Sequence, residues 1–216
     1  MSIVDTISKI ADWLNSGPCL KIKFKTPAPE GKAMDENYEY NLVHPTAFPL
    51  YVPARDRLPP AVKTEMPSIA VMIEDGEDRL VKDRYINIVL AFSCWNPGNH
   101  EKDIFYSGSD EKFEAWKKEY FPTIEDRQTK ESKLVKYRKT ADGWMDLWNF
   151  IDTIIREIEQ IDFINGIEIV KNVPVKFEPF KEQDSVPDYY PFWFGTVRFT
   201  VHENIIRNND SYRELL

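Results

Sequence analysis

The chain holds little of what chemistry at a site normally needs. Among its 216 residues are two cysteines, Cys19 and Cys94, three histidines and eight glycines. Two isolated thiols make neither a disulfide framework nor a CxxC or Cys/His zinc signature. Both lie in or beside apolar segments and read as small buried hydrophobes. His44, His100 and His202 belong to no GxSxG, HExxH or Cys–His pattern, and a catalytic imidazole needs a nucleophile or carboxylate within hydrogen-bond reach. So few glycines leave little material for a phosphate-cradling loop, and neither GxGxxG nor GxxxxGK(S/T) occurs. No catalytic residue, cofactor or metal site is expected from these absences.

Positive charge is also in short supply. Lys and Arg number 28 against 36 Asp and Glu, a formal net charge of −8 with a pI of about 5.1. Gripping nucleic acid needs a surplus of Lys and Arg on one face, so sequence-specific nucleic-acid binding is not expected. The exception to weigh is a local basic strip, Lys21, Lys23 and Lys25 together with Lys130 to Lys139. No apolar run approaches the ~18 residues a membrane span requires. The first fifteen residues carry Asp5 and Asp12 and no apolar core with a basic flank, unlike a signal peptide. The expected compartment is the cytosol, or a particle assembled there.

What the chain does have is aromatic mass: 6 Trp, 10 Tyr and 13 Phe, within a composition 42% hydrophobic and 30% charged. Its length suits one domain, 1–216, burying roughly 70% of the surface its unfolded chain exposes. Ser2 and Asp5 suggest a capping box, and Ile3, Ile7, Ile10 and Leu14 recur at helical spacing until Gly17-Pro18 stops them. Leu20, Ile22 and Phe24 alternate with lysines and predict a strand, with Tyr38 to Val43 as its hairpin partner. Six prolines between His44 and Pro67 exclude a helix and a central strand there. Phe48, Leu50, Tyr51 and Val52 make that segment an ordered arm lying on something.

Ile69, Val71 and Ile73 predict a short strand and Glu74 to Asp78 a solvated turn, which lacks the residue order of a calcium loop. Arg84 to Trp95 is apolar on both faces, as a covered central strand should be. Residues 99–139 read as an insertion, with a helix capped by Ser109 inside it. Trp144, Leu147, Trp148, Ile151, Ile154, Ile155, Ile158 and Ile161 trace one face of a long helix capped by Asp142 or Thr140. Val173, Val175 and Phe177, then Phe192 to His202, predict two more strands around a proline- and aromatic-rich loop, Pro179 to Pro191. The fold class is α+β: an antiparallel or mixed sheet packed by the N-terminal helix and the long amphipathic helix. The run Tyr189, Tyr190, Phe192, Trp193 and Phe194 admits three readings: core packing, an intersubunit patch, or stacking of single-stranded bases.

This order of elements resembles the tail-terminator, or tail-completion, proteins of tailed bacteriophages and of phage-derived contractile bacteriocin particles. The likeness is carried by the helix Ser2 to Asn15, the strand Arg84 to Trp95, the helix Asp142 to Ile161 and the closing strand Pro191 to Val201. The stretch Asn99 to Lys139 is longer than the simplest members of that group need. The resemblance implies a homo-oligomer, a hexameric ring that caps a tail tube, halts its polymerisation and presents a surface to a head connector or collar. Its partners would be tail tube and possibly sheath subunits, met in the host cytoplasm during assembly, with no enzymatic role. It carries across no catalytic, cofactor-binding or metal residue. Phe48 and Tyr51 of the arm, with Tyr189, Tyr190, Phe192 and Trp193 of the aromatic loop, are the candidates for a subunit interface. The alternatives are another tail or baseplate structural protein of the same particle, an enzyme with an unrecognised carboxylate site, and a nucleic-acid or regulatory binding module.

Overall fold

Helix α1, Ile3–Ser16, begins at a capping box. Asp5 N–H donates to Ser2 Oγ (3.2 Å) while Ser2 N–H donates to Asp5 Oδ2 (2.9 Å), satisfying two donors that a helix start leaves orphaned. The computed structural model describes residues 2–27, 41–62, 64–80, 83–96 and 143–204. The insertion 99–139 and the tail after residue 204 lie outside them, as does the helix expected behind Ser109.

After α1 the chain departs from the predicted strand. Pro18–Lys21 is a 3-10 turn and only Phe24–Lys25 (β1) is extended, pairing with Leu42–Val43 (β2). Pro18 fixes a φ suited to the first position of a tight helical turn, which overrides the alternation of Leu20 and Ile22 and leaves Leu20 exposed. The hairpin partnership itself is present.

The main sheet has the strand order β3-β4-β5-β9-β7-β6, with β8 also on β9. Strand β3 (Thr46–Pro49) runs parallel to β4 (Ser68–Asp78), β4 is antiparallel to β5 (Asp83–Trp95), and β5 is antiparallel to β9 (Phe192–Asn204) over thirteen pairs. The short strands β7 (Ile167–Ile169) and β8 (Lys176–Pro179) follow one another along the other side of β9, and β6 (Phe163–Ile164) pairs with β7. The sheet is therefore mixed, and β5 is central as its two apolar faces require. Ile86, Ile88, Leu90, Phe92 and Cys94 are buried on one side, and Val89, Ser93 and Trp95 on the other.

Two stretches read as turns or loops are strands. Glu74 to Asp78 continues β4, because a β-bulge between Ile73 and Asp75 absorbs the break in alternation and long pairing with β5 outweighs the turn-prone residues. The proline-rich arm opens as β3, confined to an edge as prolines demand. There Asn15 covers the outward backbone of Ala47, with its amide donating to the carbonyl and accepting from the N–H, both at 2.8 Å. The expected strand at Val173 starts only at Lys176, since a turn ends at Val173.

Helix α2, Gly143–Glu159, packs across β5 and β9, and α1 packs on β3 and β4. Ile10 and Leu14 of α1 and Phe150, Ile151, Ile154 and Ile158 of α2 close one core over Ile69, Val71, Ile88, Leu90, Val197 and Phe199. Phe150 sits between Phe24 and Phe92, with ring centroids at 4.8 and 4.9 Å. Each such fully buried side chain contributes about 1.5–3 kcal/mol. Helix α2 ends where Lys171 Nζ donates to the carbonyls of Ile158 (2.7 Å) and Glu159 (2.9 Å). Cys19 and Cys94 are buried in this core, and loss of solvation pushes the Cys19 thiol up to about 12.

Candidate functional site

Asn96, the residue after β5, ties four parts of the chain together. Its N–H donates to the Pro191 carbonyl (3.1 Å) and its own carbonyl accepts the Trp193 indole N–H (3.0 Å). Its side-chain amide donates to Asp146 Oδ2 in the first turn of α2 (2.7 Å), and its Oδ1 accepts from Lys25 Nζ (3.1 Å). Burial raises the Asp146 carboxyl above the ordinary range, with the Asn96 hydrogen bond and the Lys25 charge pulling the other way. The approach is so close that a Cβ on Gly143 would lie 2.4 Å from the Asn96 carbonyl oxygen. Glycine is therefore required there by contact with a backbone atom that cannot swing away.

That knot fixes the entrance to β9 and so positions an aromatic wall. Phe192 and Phe194 alternate onto the sheet face opposite α2, while Trp193 turns back beneath the helix start. Tyr189 and Phe180 close on Phe194 edge-on, with centroids at 5.7 and 6.4 Å, and Phe180 lies 6.3 Å from Tyr189. Phe180, Tyr189, Phe192 and Phe194 line two grooves. One, of about 340 Å³, is shared with Trp144 and Trp148 of α2; the other, of about 480 Å³, is shared with Ala91 and Thr196. Phe177 on β8 meets Trp148 (6.2 Å) and is 58% exposed, so the apolar strip continues along the sheet edge.

Carboxylates rim the wall. A tight turn, Glu182 to Ser185, is closed by reciprocal backbone hydrogen bonds of 2.8 and 3.0 Å, with Gln183 and Asp184 both at positive φ. Glu182, Asp184 and Asp188 are exposed. Glu182 accepts from the Tyr189 hydroxyl, which raises the phenol above its usual range. Glu178 is held below the usual carboxylate range by Arg198, which also lies 3.3 Å from Glu74 at the bulge.

The interface candidates read from the sequence separate here. Tyr51, Tyr189 and Phe192 are exposed at 65, 40 and 37%. Tyr190 and Trp193 are half-buried. Phe48 is 5% exposed, beside Ala70 on the sheet face away from the α1-covered core, and its ring does not reach the surface. Ala47 and Phe48 are both buried, one on each face of β3, and the prolines hid the strand. The structure groups Tyr189, Tyr190, Phe192 and Trp193, whereas Phe48 and Tyr51 lie on β3 and just after it, four strands away across the sheet. Trp144, Phe177 and Phe180 belong to the same wall and were missed as site residues. The excess of rings at one face of α2 and in the Pro179–Pro191 loop was the available signal.

Two other candidates are accounted for by structural bonds. Lys21 pairs with Glu157 (2.7 Å) and Lys25 with Asn96, so neither lysine stands on an open basic face. His202, its side chain 13% exposed, faces Glu168 (2.7 Å) and Asp83 (3.2 Å) and stacks on Tyr85 (4.8 Å). It joins the start of β5 to β7, and the Glu168 hydrogen bond, foremost among the causes, raises its pKa. His44 Nδ1 lies against the carbonyls of Cys19 and Ile22. Among the described residues, no group of three or more His, Cys, Asp or Glu could hold a metal, and no helix is long and apolar enough to cross a membrane.

Set against known protein families, characterised proteins and solved structures, the chain matches none.

Proposed function

We propose that this chain is a structural assembly subunit that self-associates into a ring, capping a phage-like tail tube and presenting its outer surface to a head connector or collar. The observation that carries the reading is the aromatic wall at the β8 edge, where large rings stand exposed beside rimming carboxylates. Exposed contiguous apolar surface rimmed by polar residues marks protein–protein contact, and Tyr and Trp are the residues that tolerate being wet in one state and buried in another. The wall is rigid, held by Asn96 and the 182–185 turn, so little ordering entropy opposes docking. The tail-terminator assignment rests on the order of elements, a mixed sheet with an N-terminal helix and a second long helix on one face. An acidic subunit suits a lumen that passes DNA without holding it.

The test is deletion of the gene from its parent element, followed by electron microscopy of the particles. Overlong, ragged-ended tails are expected, since only the stop signal is missing. Tails of normal length would refute the terminator reading, and a complete absence of tails would move the subunit to the initiating, baseplate end of the particle.

A further inference from the structure

The arm between β3 and β4 carries a feature that complements the aromatic wall. Ala54 (φ −61°, ψ 153°) and Leu58 (φ −65°, ψ 146°) hold polyproline II backbone on either side of the 3-10 turn Arg55–Arg57. Arg57 N–H donates to the Ala54 carbonyl and Val62 N–H to the Pro59 carbonyl, both at 2.8 Å, so two turns brace the segment from within. Arg55, Arg57, Pro59 and Pro60 are exposed, and Leu58 is half-buried. This is a preformed, proline-rich knob whose two arginines flank the exposed Asp56 and leave it a net positive charge.

Here the prolines sit in a turn closed by Val62 N–H on the Pro59 carbonyl. A braced turn of this kind docks well in a groove lined by aromatic rings, because proline rings stack on flat apolar faces and little backbone entropy is lost. The groove of about 340 Å³ offers Trp144, Trp148, Phe180, Tyr189, Phe192 and Phe194. Its charge is also opposite: Glu182, Asp184 and Asp188 are exposed at the rim, against Arg55 and Arg57 on the arm. Guanidinium groups pair with carboxylates in a directed, two-pronged way, which sets register as well as attraction.

Position decides whose groove the arm fills. The arm joins the edge strand β3 to its neighbour β4, and the groove lies beyond β9 against β8. Four strand spacings of about 4.8 Å separate β3 from β8. Donor and acceptor surfaces at opposite edges of one sheet make a head-to-tail contact between copies, the kind that closes into a ring. Resting on the self-assembly reading above, we infer that Arg55, Arg57, Pro59 and Pro60 of one copy dock in the aromatic groove of the next, with Asp184 and Asp188 receiving the arginines.

Sedimentation velocity of the full chain tests this with four variants. Arg55→Glu with Arg57→Glu, and separately Asp184→Lys with Asp188→Lys, should each weaken self-association about tenfold or more, while their combination in one chain restores it. An equimolar mixture of the two charge-reversed pairs should regain assembly as alternating copies, because the acidic arm of one faces the basic groove of the other and the return contact is matched as well, whereas each variant alone stays dissociated. All substituted positions are exposed, and unchanged circular dichroism melts confirm folding; Pro59→Gly with Pro60→Gly gives a second, charge-neutral route to weakened association. Wild-type and variant chains that assemble equally well would overturn the docking while leaving ring formation intact. A wild-type chain that stays monomeric would overturn both. Variants that still form rings but no longer attach to tube ends would assign the groove to the tube protein and likewise overturn it.

Discussion

Replacing Arg84 should be among the most damaging single changes outside the apolar core, and the reason is the carboxylate it faces. Asp78, Arg84 and Glu203 stand in register across β4, β5 and β9 at one end of the sheet, on the side that α1 covers. Arg84 lies 2.9 Å from Asp78 and 3.4 Å from Glu203, whose side chain is fully buried. The Thr6 hydroxyl of α1, itself buried, donates to the same carboxylate. Removing one partner of a buried pair leaves an uncompensated charge and costs about 3–5 kcal/mol. Arg84→Met, which keeps the apolar stem, should therefore destabilise by that amount. Glu203→Gln still accepts from Thr6 and removes the charge, so its cost should be about 1–2 kcal/mol. In the Glu203→Gln background, Arg84→Met should cost only about 1–2 kcal/mol, since no buried charge is left uncompensated and the Asp78 pair is part-exposed. The coupling is then about 2–3 kcal/mol, read from urea midpoints at constant m-value and cross-checked by melting at roughly 2–4 °C per kcal/mol. Additivity of the two changes within about 0.5 kcal/mol would refute the argument that the buried charge sets the cost.

Three further outcomes follow from single sites. Gly143→Ala should destabilise by about 1–3 kcal/mol, because its Cβ meets the Asn96 carbonyl at 2.4 Å; chemical denaturation of the variant measures it. Asn96→Ala strips Asp146 and Lys25 of a partner and should cost about 2–3 kcal/mol, against about 1 kcal/mol for Trp193→Phe, which loses one indole hydrogen bond. Tryptophan fluorescence during unfolding follows both variants. His202 has its pKa raised by Glu168 and Asp83, so the stability it contributes is fully present below its unfolded value of about 6.5. That contribution is lost as pH rises through the higher folded value; His202→Gln should flatten this part of the stability profile, and an unchanged slope would show the imidazole is not the group responsible.

Local chemistry determined those elements whose neighbours agree with it. Ser2 and Asp5 close a capping box whatever surrounds them, and a helical face as long as that from Leu147 to Ile158 has no other stable use than covering a sheet. The two-sided apolarity of Arg84 to Trp95 specified a central strand because a strand can bury both faces only with partners at each edge. The bland character of Cys19 and Cys94 was likewise visible from their apolar surroundings.

Tertiary structure decided whatever depends on residues distant in sequence. Proline content marked 44–67 as unable to sit in a sheet interior, but only pairing with β4 and the grip of Asn15 on Ala47 made it an edge strand that hides Phe48. The bulge at Glu74 turned an apparent loop into the second half of β4 through contacts with β5. The short strands β6 and β7 escaped notice because a two- or three-residue strand has no periodicity to read. The aromatic run 189–194 was visible as a peculiarity, yet which rings face water depends on Asn96, ninety-seven residues before Trp193, holding the loop and the helix start together. Composition supplied the rings; long-range hydrogen bonds and strand register, which no local window contains, chose the ones left exposed.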